Sequence, residues 1–343
     1  MGKLKVEGAK KVTVISGVAG MTGSMLAYKL LERGEFVVGF DNFFAGSRDV
    51  IADLISKQYF QFFEYDVNSI ENMDKLFSFI KSKFNKNACE LKFVNCAAVV
   101  HTKHFYRPED TFETNVVAMR ATLKRAIKAH FSVYINCSTS EVYSMQSWRK
   151  NGVTEDSPVL LATAEQSLRT SYATGKLLTE FFIKEAVSFQ QIKGCSIRFA
   201  NVYSPMEAHN EHIIPHIISS LCCEGHVVLL ENSKTTYRSF LHNSDSCDAV
   251  LQLLYASKAL DGSVYNVGTK EEILIPVLVR KIAKLMGLKS SAIRYQGRRT
   301  ADPPRRLLNT GKIQRATSWK PKISLDTGLR QCIQYRLKTN KFP

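Results

Sequence analysis

The stretch Lys11-Val-Thr-Val-Ile-Ser-Gly-Val-Ala-Gly-Met-Thr-Gly-Ser24 decides the fold, because an apolar, β-rich run gives way to three glycines. The pattern predicts a strand, a tight turn and a helix. Gly17 permits the turn, Gly20 lets backbone N–H groups approach a pyrophosphate, and Gly23 lets the helix pack closely on the strand. The predicted cofactor-binding residues of this segment are therefore Gly17, Gly20, Met21, Thr22 and Gly23.

A second unit follows at the spacing that a dinucleotide site requires. The helix through residues 25–33 stops at Gly34, and the apolar strand 36–40 ends on Asp41, about 20 residues after the turn. A carboxylate at this position accepts hydrogen bonds from an adenosine ribose and repels a 2′-phosphate. The sequence therefore predicts NAD rather than NADP as the cofactor, with Asp41 as its ribose contact.

The composition is that of an ordinary globular protein. The 343 residues suffice for one large or two fused domains, and 45% are hydrophobic and 23% charged. No apolar run is long enough to span a membrane, and residues 1–7 lack the apolar segment of a signal peptide. We therefore expect a cytoplasmic protein without a membrane partner.

Neither the cysteines nor the histidines predict a metal centre. His212 and His216 are four residues apart, but Pro215 lies between them and no acidic third ligand is evident. The cysteines show no C-x-x-C pair, so we expect free thiols in a reducing compartment rather than disulfides. They are Cys89, Cys96, Cys137, Cys195, Cys222, Cys223, Cys247 and Cys332.

The positive charge is concentrated near the C-terminus. Residues 280–343 carry 17 lysines and arginines against two acidic residues, Asp302 and Asp326, and so account for +15 of the net charge of +16. This distribution fits either an anionic, phosphate-bearing substrate or a solvated basic surface. No recognised nucleic-acid motif or interleaved aromatic residues accompany the charge, so we do not expect nucleic-acid binding.

Strands and helices continue to alternate after Asp41. Strands are predicted at 59–65, 91–96 and 133–137, with helices at 48–56, 70–84 and 110–130. Such alternation predicts an α/β fold with a Rossmann-type doubly wound parallel sheet, whose ligands lie at the carboxyl ends of the strands. Among the residues that end these strands, Asp66 is a candidate adenine contact, and Ala97 and Ala98 are small enough to pass beneath a cofactor.

The predicted chemical centre combines two segments. Strand 133–137 leads into Ser138-Thr-Ser-Glu-Val-Tyr143, and Tyr172-Ala-Thr-Gly-Lys176 opens a helix some thirty residues later. On a helix, Tyr172 and Lys176 share one face, so the ammonium can lower the pKa of the phenol and reach the cofactor ribose. A tyrosinate beside the Thr139 hydroxyl is a suitable base for removing a proton from a sugar alcohol as a hydride leaves for NAD.

These motifs together resemble the extended short-chain dehydrogenases/reductases of the nucleotide-sugar epimerase/dehydratase group, over nearly the whole chain. The glycine turn and the two segments of the centre match. So do Asp41-Asn-Phe-Phe-Ala-Gly46, Asn95-Cys-Ala-Ala98, Thr114-Asn-Val116, Arg198-Phe-Ala-Asn-Val-Tyr203, Tyr237-Arg-Ser-Phe-Leu-His-Asn-Ser-Asp245, Tyr265-Asn-Val-Gly268 and Asp302-Pro-Pro-Arg-Arg306.

The resemblance implies roles for individual residues. Thr139, Tyr172 and Lys176 would form the catalytic set, with Ser140 and Glu141 beside them. Asn42, Val67 and Asn115 would join the contacts to a tightly held NAD that is regenerated in each turnover. The substrate would be a nucleotide-diphosphate sugar, bound by Asn201, Arg238 and Arg306, where an arginine fork also suits a diphosphate oxygen pair.

The resemblance also implies the organisation of the chain. Residues 1–190 would form the NAD-binding domain, a segment around 235–268 would return to it, and most of 191–343 would form a smaller α/β substrate domain. A homodimer is expected through the helices near 110–130 and 172–189. Further helices are predicted at 275–286 and 323–336.

The reaction after oxidation of the sugar C4 hydroxyl depends on the residues that follow Thr139. The Thr-Ser-Glu sequence is similar to that of UDP-glucuronate decarboxylases and of GDP-mannose 4,6-dehydratases, and Asp41 disfavours the NADP that the latter generally use. A C4 ketone makes a C5 carboxylate a β-keto acid that decarboxylates readily. Glu141 is alternatively the base of a dehydration or a local hydrogen-bonding residue.

Two other functions stay open at this stage. A 4-epimerase is the first. Ser144, the stretch Tyr203-Ser-Pro-Met206 and residues 145–169 depart from the usual family pattern and leave room for an unusual sugar or a modified reaction. A non-catalytic dinucleotide-binding or sensor protein is the second. The presence of Thr139, Tyr172 and Lys176 together argues against it, because a pure binder needs no such set.

Overall fold

The computed structural model describes residues 10–85, 87–146, 151–207, 211–288 and 292–339, and the N-terminal residues 1–7 considered above lie outside this part. Its strands are β1 (Lys11–Ser16), β2 (Phe36–Asp41), β3 (Phe60–Glu64), β4 (Glu90–Asn95), β5 (Val133–Thr139), β6 (Lys193–Phe199), β7 (Asn201–Tyr203), β8 (His226–Leu229), β9 (Tyr237–His242), β10 (Asp261–Val267), β11 (Glu272–Leu274), β12 (Ala292–Tyr295) and β13 (Arg305–Arg306).

The helices connect these strands in the alternating order that the sequence predicts. They are α1 (Met21–Glu32), α2 (Arg48–Ile55), α3 (Ile70–Lys83), α4 (Pro108–Phe112), α5 (Met119–Lys128), α6 (Thr170–Ser188), α7 (Ile213–Cys223), α8 (Asn243–Tyr255), α9 (Ile275–Leu285), α10 (Gly311–Thr317) and α11 (Leu325–Thr339). A π-helical turn at Glu113–Ala118 joins α4 to α5 within the single helix predicted for 110–130.

Seven parallel strands form the central sheet in the order β10-β6-β5-β4-β1-β2-β3. The order reverses direction beside β1, so the crevice at the carboxyl ends of β1 and β4 is where a doubly wound sheet binds its ligand. The predicted Rossmann-type α/β fold is therefore confirmed. The sheet extends past residue 190, since β6 and β10 both belong to it.

Helices cover both faces of the central sheet. One face packs Val37, Ile135 and Ile197 against α1 and α8, where Leu30 is fully buried. The other face packs its apolar side chains, Phe93 among them, against α3, α5 and α6. Replacing a fully buried leucine such as Leu30 with alanine lowers the free energy of unfolding by about 2–5 kcal/mol. Packing of this strength on both faces holds the ends of the strands in fixed positions.

A smaller unit stands over the carboxyl ends of the central strands. In it β9 pairs with β7, β11 and β13, while β8 pairs with β12. Arg306 of β13 is the register partner of Arg238 of β9, so the two side chains leave the sheet on the same face. Among the described residues, no helix is both long and apolar enough to cross a membrane.

Candidate active site

The glycine turn after β1 is fixed by close backbone packing. Gly17 has a φ of +69°, and a Cβ built on it would lie 2.7 Å from the backbone nitrogen of Ala97. A Cβ on Gly23 would lie 2.2 Å from the carbonyl oxygen of Gly17. Gly20 caps α1, so the unpaired N–H groups of the first helical turn face the end of the sheet, where they suit a phosphate.

Asp41 ends β2 beside this turn. Its carboxylate accepts hydrogen bonds from the backbone N–H groups of Ala19, at 2.9 Å, and Phe43, at 2.7 Å. Burial raises the pKa of Asp41 above its ordinary value, while these two hydrogen bonds oppose the rise. The side chain is thus held rigidly at the position where an adenosine ribose is expected.

A single cavity of about 1140 Å³ runs from the glycine turn to the small unit. This volume exceeds that of a typical site for one small ligand. It is lined by Gly17, Gly20, Met21, Thr22, Gly23, Asp41, Asn42, Asp66, Val67, Ala97, Ala98, Thr139, Glu141, Tyr172, Lys176, Asn201, Arg238 and Arg306, which the sequence predicts as site residues.

Two predicted site residues lie behind the cavity wall. The Asn115 side chain accepts a hydrogen bond from the Val99 N–H at 2.8 Å and donates one to the Val99 carbonyl at 3.1 Å, so it fixes the loop after β4 rather than facing the cavity. Ser140 is 3% exposed and starts the short helical turn whose next residue, Glu141, reaches the cavity.

The structure brings Thr139, Tyr172 and Lys176 to one part of the wall. Burial raises the pKa of Tyr172, the negative charge of Glu141 raises it further, and a hydrogen bond with Thr139 lowers it. Burial also lowers the pKa of Lys176. In the protein alone the phenol is thus protonated at neutral pH, in contrast to the lowered pKa that the sequence predicts from the Tyr-x-x-x-Lys spacing.

Phe105 covers one face of the Tyr172 ring. The two rings stack with centroids 3.9 Å apart and an interplanar angle of 9°. Phe105 lies in the loop between β4 and α4 and also lines the cavity. Nothing in the local sequence distinguishes it from a core phenylalanine, so sequence analysis missed this contact.

Glu141 is clamped between two arginines, and we call Glu141, Arg169 and Arg306 the open cluster. Arg169 donates to both carboxylate oxygens, at 2.7 and 2.9 Å, and Arg306 donates to both at 2.8 and 3.2 Å. Burial alone would raise the pKa of Glu141, but Arg306 and Arg169 outweigh burial and hold it well below its ordinary value. Sequence analysis missed Arg169.

Further arginines surround the open cluster. Arg238 donates to Asp302 at 2.5 Å, and Arg299 lies 3.8 Å from the other oxygen of the same carboxylate. Burial and the neighbouring positive charge of Arg306 lower the pKa of Arg238 to about 10. Four of the arginines that line the cavity, Arg169, Arg238, Arg299 and Arg306, therefore surround the two carboxylates of Glu141 and Asp302 and leave a local excess of positive charge there.

A second buried arginine–carboxylate group lies behind the wall, and we call Glu180, Arg198 and Tyr143 the closed cluster. Arg198 donates to the two Glu180 oxygens at 2.9 and 2.6 Å and to the Tyr143 hydroxyl at 2.5 Å. The Ser138 hydroxyl donates to Glu180 at 2.6 Å. The closed cluster joins β6 and α6 to the turn that carries Glu141.

His212, directly before α7, and His216, within it, each contact another part of the protein. His212 is hydrogen-bonded to Glu207, and His216 contacts the carbonyl of Val228 at 3.1 Å. Within the described ranges, no group of three histidine, cysteine or acidic side chains is placed to hold a metal ion.

A parallel doubly wound sheet, a glycine turn capping α1 and an acidic residue at the end of β2 define a Rossmann-type dinucleotide-binding protein. The model of the NAD dependent epimerase/dehydratase family matches residues 13–268. The chain belongs to this family and is an enzyme with NAD as its cofactor.

The similar proteins and structures are named for three different reactions. UDP-glucuronic acid decarboxylase 1 of Arabidopsis thaliana is 26% identical over 329 residues, which cover 93% of this chain and 68% of that protein. The dTDP-D-glucose 4,6-dehydratase of Homo sapiens is 24% identical over 343 residues, which cover 96% of this chain and 90% of that protein. A solved structure with a similar fold is UDP-glucuronic acid 4-epimerase from Bacillus cereus in complex with UDP-glucuronic acid and NAD. It superposes with a TM-score of 0.83 at 20% identity, and the match covers 96% of this chain and 99% of that one.

The residues of the glycine turn fit the cofactor. The close approaches at Gly17 and Gly23 leave no room for side chains on the turn, so its backbone N–H groups stay accessible to a pyrophosphate. Asp41 suits the ribose of NAD and would repel the 2′-phosphate of NADP.

Proposed function

We propose that the chain decarboxylates a nucleotide-diphosphate sugar that carries a C5 carboxylate, after transient oxidation of the sugar at C4. The observation that carries this proposal is the excess positive charge around Glu141 and Asp302. A nucleotide-linked uronate brings negative charge at both its diphosphate and its sugar, and so complements four arginines better than a neutral hexose would.

The proposed reaction assigns a task to each group in the wall. Thr139 and Tyr172 bind the C4 hydroxyl. The Tyr172 phenol, which is protonated in the protein alone, first loses its own proton, a change that the nearby ammonium of Lys176 favours, and the resulting phenolate accepts the proton of the C4 hydroxyl. NAD held at the glycine turn and Asp41 would supply the hydride acceptor for the oxidation at C4 and the hydride for the final reduction. Asn201 and Arg238 hold the diphosphate, while Arg306 and Arg169 orient the sugar carboxylate.

Decarboxylation then follows from the β-keto acid itself. The bond from C5 to the carboxylate breaks, carbon dioxide leaves, and the electron pair moves onto the C4 carbonyl oxygen as an enolate. A proton from water then adds at C5, and the C4 carbonyl re-forms. The tightly paired Glu141 supports this order of events over dehydration, because a carboxylate with a strongly lowered pKa is a weak base for removing a C5 proton.

The test incubates purified protein and NAD with UDP-glucuronate, UDP-glucose and UDP-N-acetylglucosamine, with dTDP- and GDP-sugars as controls, and follows product masses. Loss of carbon dioxide from the uronate is the expected result. Loss of water from a hexose would replace the proposal with a 4,6-dehydratase, and a new stereoisomer of unchanged mass with a 4-epimerase. No change with any sugar would favour a binding protein.

Tyr172→Phe is the matched variant for this experiment. It removes only the hydroxyl and keeps the ring that stacks on Phe105. We expect turnover to fall by about 10²–10⁴-fold while NAD stays bound. Full activity in the variant would contradict the assignment of Tyr172.

We also propose that the chain forms a homodimer through α5 and α6. Phe181 and Leu178 of α6 are 64% and 41% exposed, and Val117 in the preceding π turn is 41% exposed. A cluster of large apolar side chains on one surface favours burial against a second copy. Phe181→Glu should convert the dimer to a monomer in analytical ultracentrifugation, and a wild-type monomer would refute the proposal.

A further inference from the structure

Two cysteines face each other across neighbouring strands of the central sheet. Cys96 directly follows β4, Cys137 lies in β5, and the preceding residues Asn95 and Asn136 are register partners. Their Sγ atoms are 3.8 Å apart, and both residues line the cavity. We propose that Cys96 and Cys137 are a redox-active dithiol in the wall of the cofactor cavity, which a peroxide oxidises to a reversible intramolecular disulfide.

The backbone geometry permits this bond. Neighbouring strands lie about 4.7–4.9 Å apart, and the Cα atoms of a disulfide are usually about 4.4–6.8 Å apart. Cys96 and Cys137 lie opposite each other, one residue beyond the last register pair of the parallel strands β4 and β5. Forming the disulfide therefore needs rotation of the two side chains rather than movement of the strands.

The surroundings favour Cys137 as the sulfur that reacts first. A hydrogen bond with Cys96 lowers the pKa of Cys137, burial opposes this effect, and the positive charge of Lys176 lowers the pKa further. The thiolate is the nucleophilic form of cysteine, and a partly exposed thiolate with a second thiol nearby is typical of redox-sensitive sites. Both sulfurs are in partly exposed residues.

The oxidation balances in two steps. The Cys137 thiolate attacks one peroxide oxygen, the O–O bond breaks, and the departing hydroxide is protonated to water, which leaves a sulfenic acid. The Cys96 sulfur then attacks the Cys137 sulfur, the S–O bond breaks, and the hydroxide leaves as water with the Cys96 proton. The two sulfurs together give up two electrons, and hydrogen peroxide is reduced to two waters.

The other cysteines lack this combination. Cys195 and Cys247 are fully buried, and burial raises the pKa of Cys247 to about 12. Cys222 and Cys223 are exposed at the end of α7, outside the cavity. Among the described cysteines, the pair on β4 and β5 alone joins a short sulfur–sulfur distance to a place in the cavity wall.

The position links the thiols to the cofactor. Cys96 precedes Ala97, which packs on the glycine turn, and Cys137 lies two residues before Thr139. A bound dinucleotide at the carboxyl ends of these strands would cover both sulfurs. NAD should therefore slow the oxidation, and the disulfide should weaken NAD binding.

The test treats the full-length protein, without added NAD, with hydrogen peroxide, alkylates the remaining thiols and maps the tryptic peptides by mass spectrometry. We expect loss of two of the eight free thiols, one cross-linked peptide joining Cys96 to Cys137, and recovery of both thiols with dithiothreitol. Sulfonic acids on separate peptides, a cross-link to Cys247, or no loss of thiols would each overturn the proposal.

Two variants and one ligand sharpen the result. Cys137→Ser should abolish the cross-link and leave Cys96 alkylated, whereas Cys89→Ser, outside the cavity, should oxidise like the wild type. The wild-type peptide map does not depend on either variant folding. Saturating NAD should slow loss of the two thiols several-fold, and an unchanged rate would contradict their place beneath the cofactor.

Discussion

The open and closed clusters use the same chemistry for different ends. Each pairs a glutamate that is mostly removed from solvent with arginine. Glu141 lies in the short helical turn directly after β5, and Glu180 of α6 accepts a hydrogen bond from Ser138 near the end of the same strand. In the closed cluster every nitrogen of the Arg198 guanidinium donates a hydrogen bond within the protein. In the open cluster the Nε atoms of Arg169 and Arg306 have no acceptor among the described residues, and all three members line the cavity.

The difference shows which ion pair is structural and which is available for binding. A buried pair is stable only when its remaining donors and acceptors are satisfied, as in the closed cluster. The open cluster has two cations for one anion and adjoins the further arginines Arg238 and Arg299. An anionic substrate would neutralise the positive charge that remains on the open cluster.

The largest expected effect separates the two clusters by stability. Arg198→Met leaves the Glu180 carboxylate buried, with the hydrogen bond from the Ser138 hydroxyl but without its arginine, so the free energy of unfolding should fall by about 3–5 kcal/mol. Arg306→Met leaves Glu141 paired with Arg169 and should cost much less. Urea unfolding of both variants measures the contrast, and equal losses would show that the two clusters are not different in kind.

The cofactor side of the cavity was predictable from sequence because its interactions are local. The glycine turn, the start of α1 and Asp41 all lie within the 25 residues from Gly17 to Asp41. Glycine at positive φ and an acidic residue at a strand end leave direct signatures in the sequence. The alternation of strands and helices likewise fixes the parallel sheet through short-range patterns.

The substrate side depends on contacts that local patterns do not encode. Arg169 meets Glu141 across 28 positions, and Arg306 meets it across 165. The resemblance to known enzymes identified Arg306, but Arg169 precedes α6 without a motif that marks its partner. The stack of Phe105 on Tyr172 and the pairing of Cys96 with Cys137 also depend on how distant strands and loops come together.

The next effect tests whether the open cluster binds substrate. Arg306→Met should lower kcat/KM for UDP-glucuronate by about 10²-fold, since one cationic donor to the sugar carboxylate is lost. NAD binding, measured by fluorescence quenching, should be unchanged because the glycine turn and Asp41 are intact. Lys322→Met, in the same basic C-terminal region but outside the cavity, is the control and should retain full activity. Unaltered kinetics in Arg306→Met would assign the open cluster a structural role.

The smallest effect is a pH dependence of stability that distinguishes Glu141 from an ordinary surface carboxylate. The folded-state pKa of Glu141 is held well below its unfolded value of about 4.3 by Arg306 and Arg169, against the opposing effect of burial. A lowered folded pKa means that the unfolded chain takes up the proton first as the pH falls. The stabilisation is therefore complete above about pH 5.5 and declines below about pH 4.5.

Glu141→Gln removes this titration and leaves the two arginines without a counter-charge between them. The wild type should therefore exceed the variant in free energy of unfolding by a constant amount from about pH 6 to 8, and the difference should shrink as the pH falls toward 4 and below. Urea unfolding of both proteins across this range measures it. A difference that stays constant down to pH values near 3.5 would mean that Glu141 keeps an ordinary pKa when folded, and that the arginines leave its charge largely unpaired.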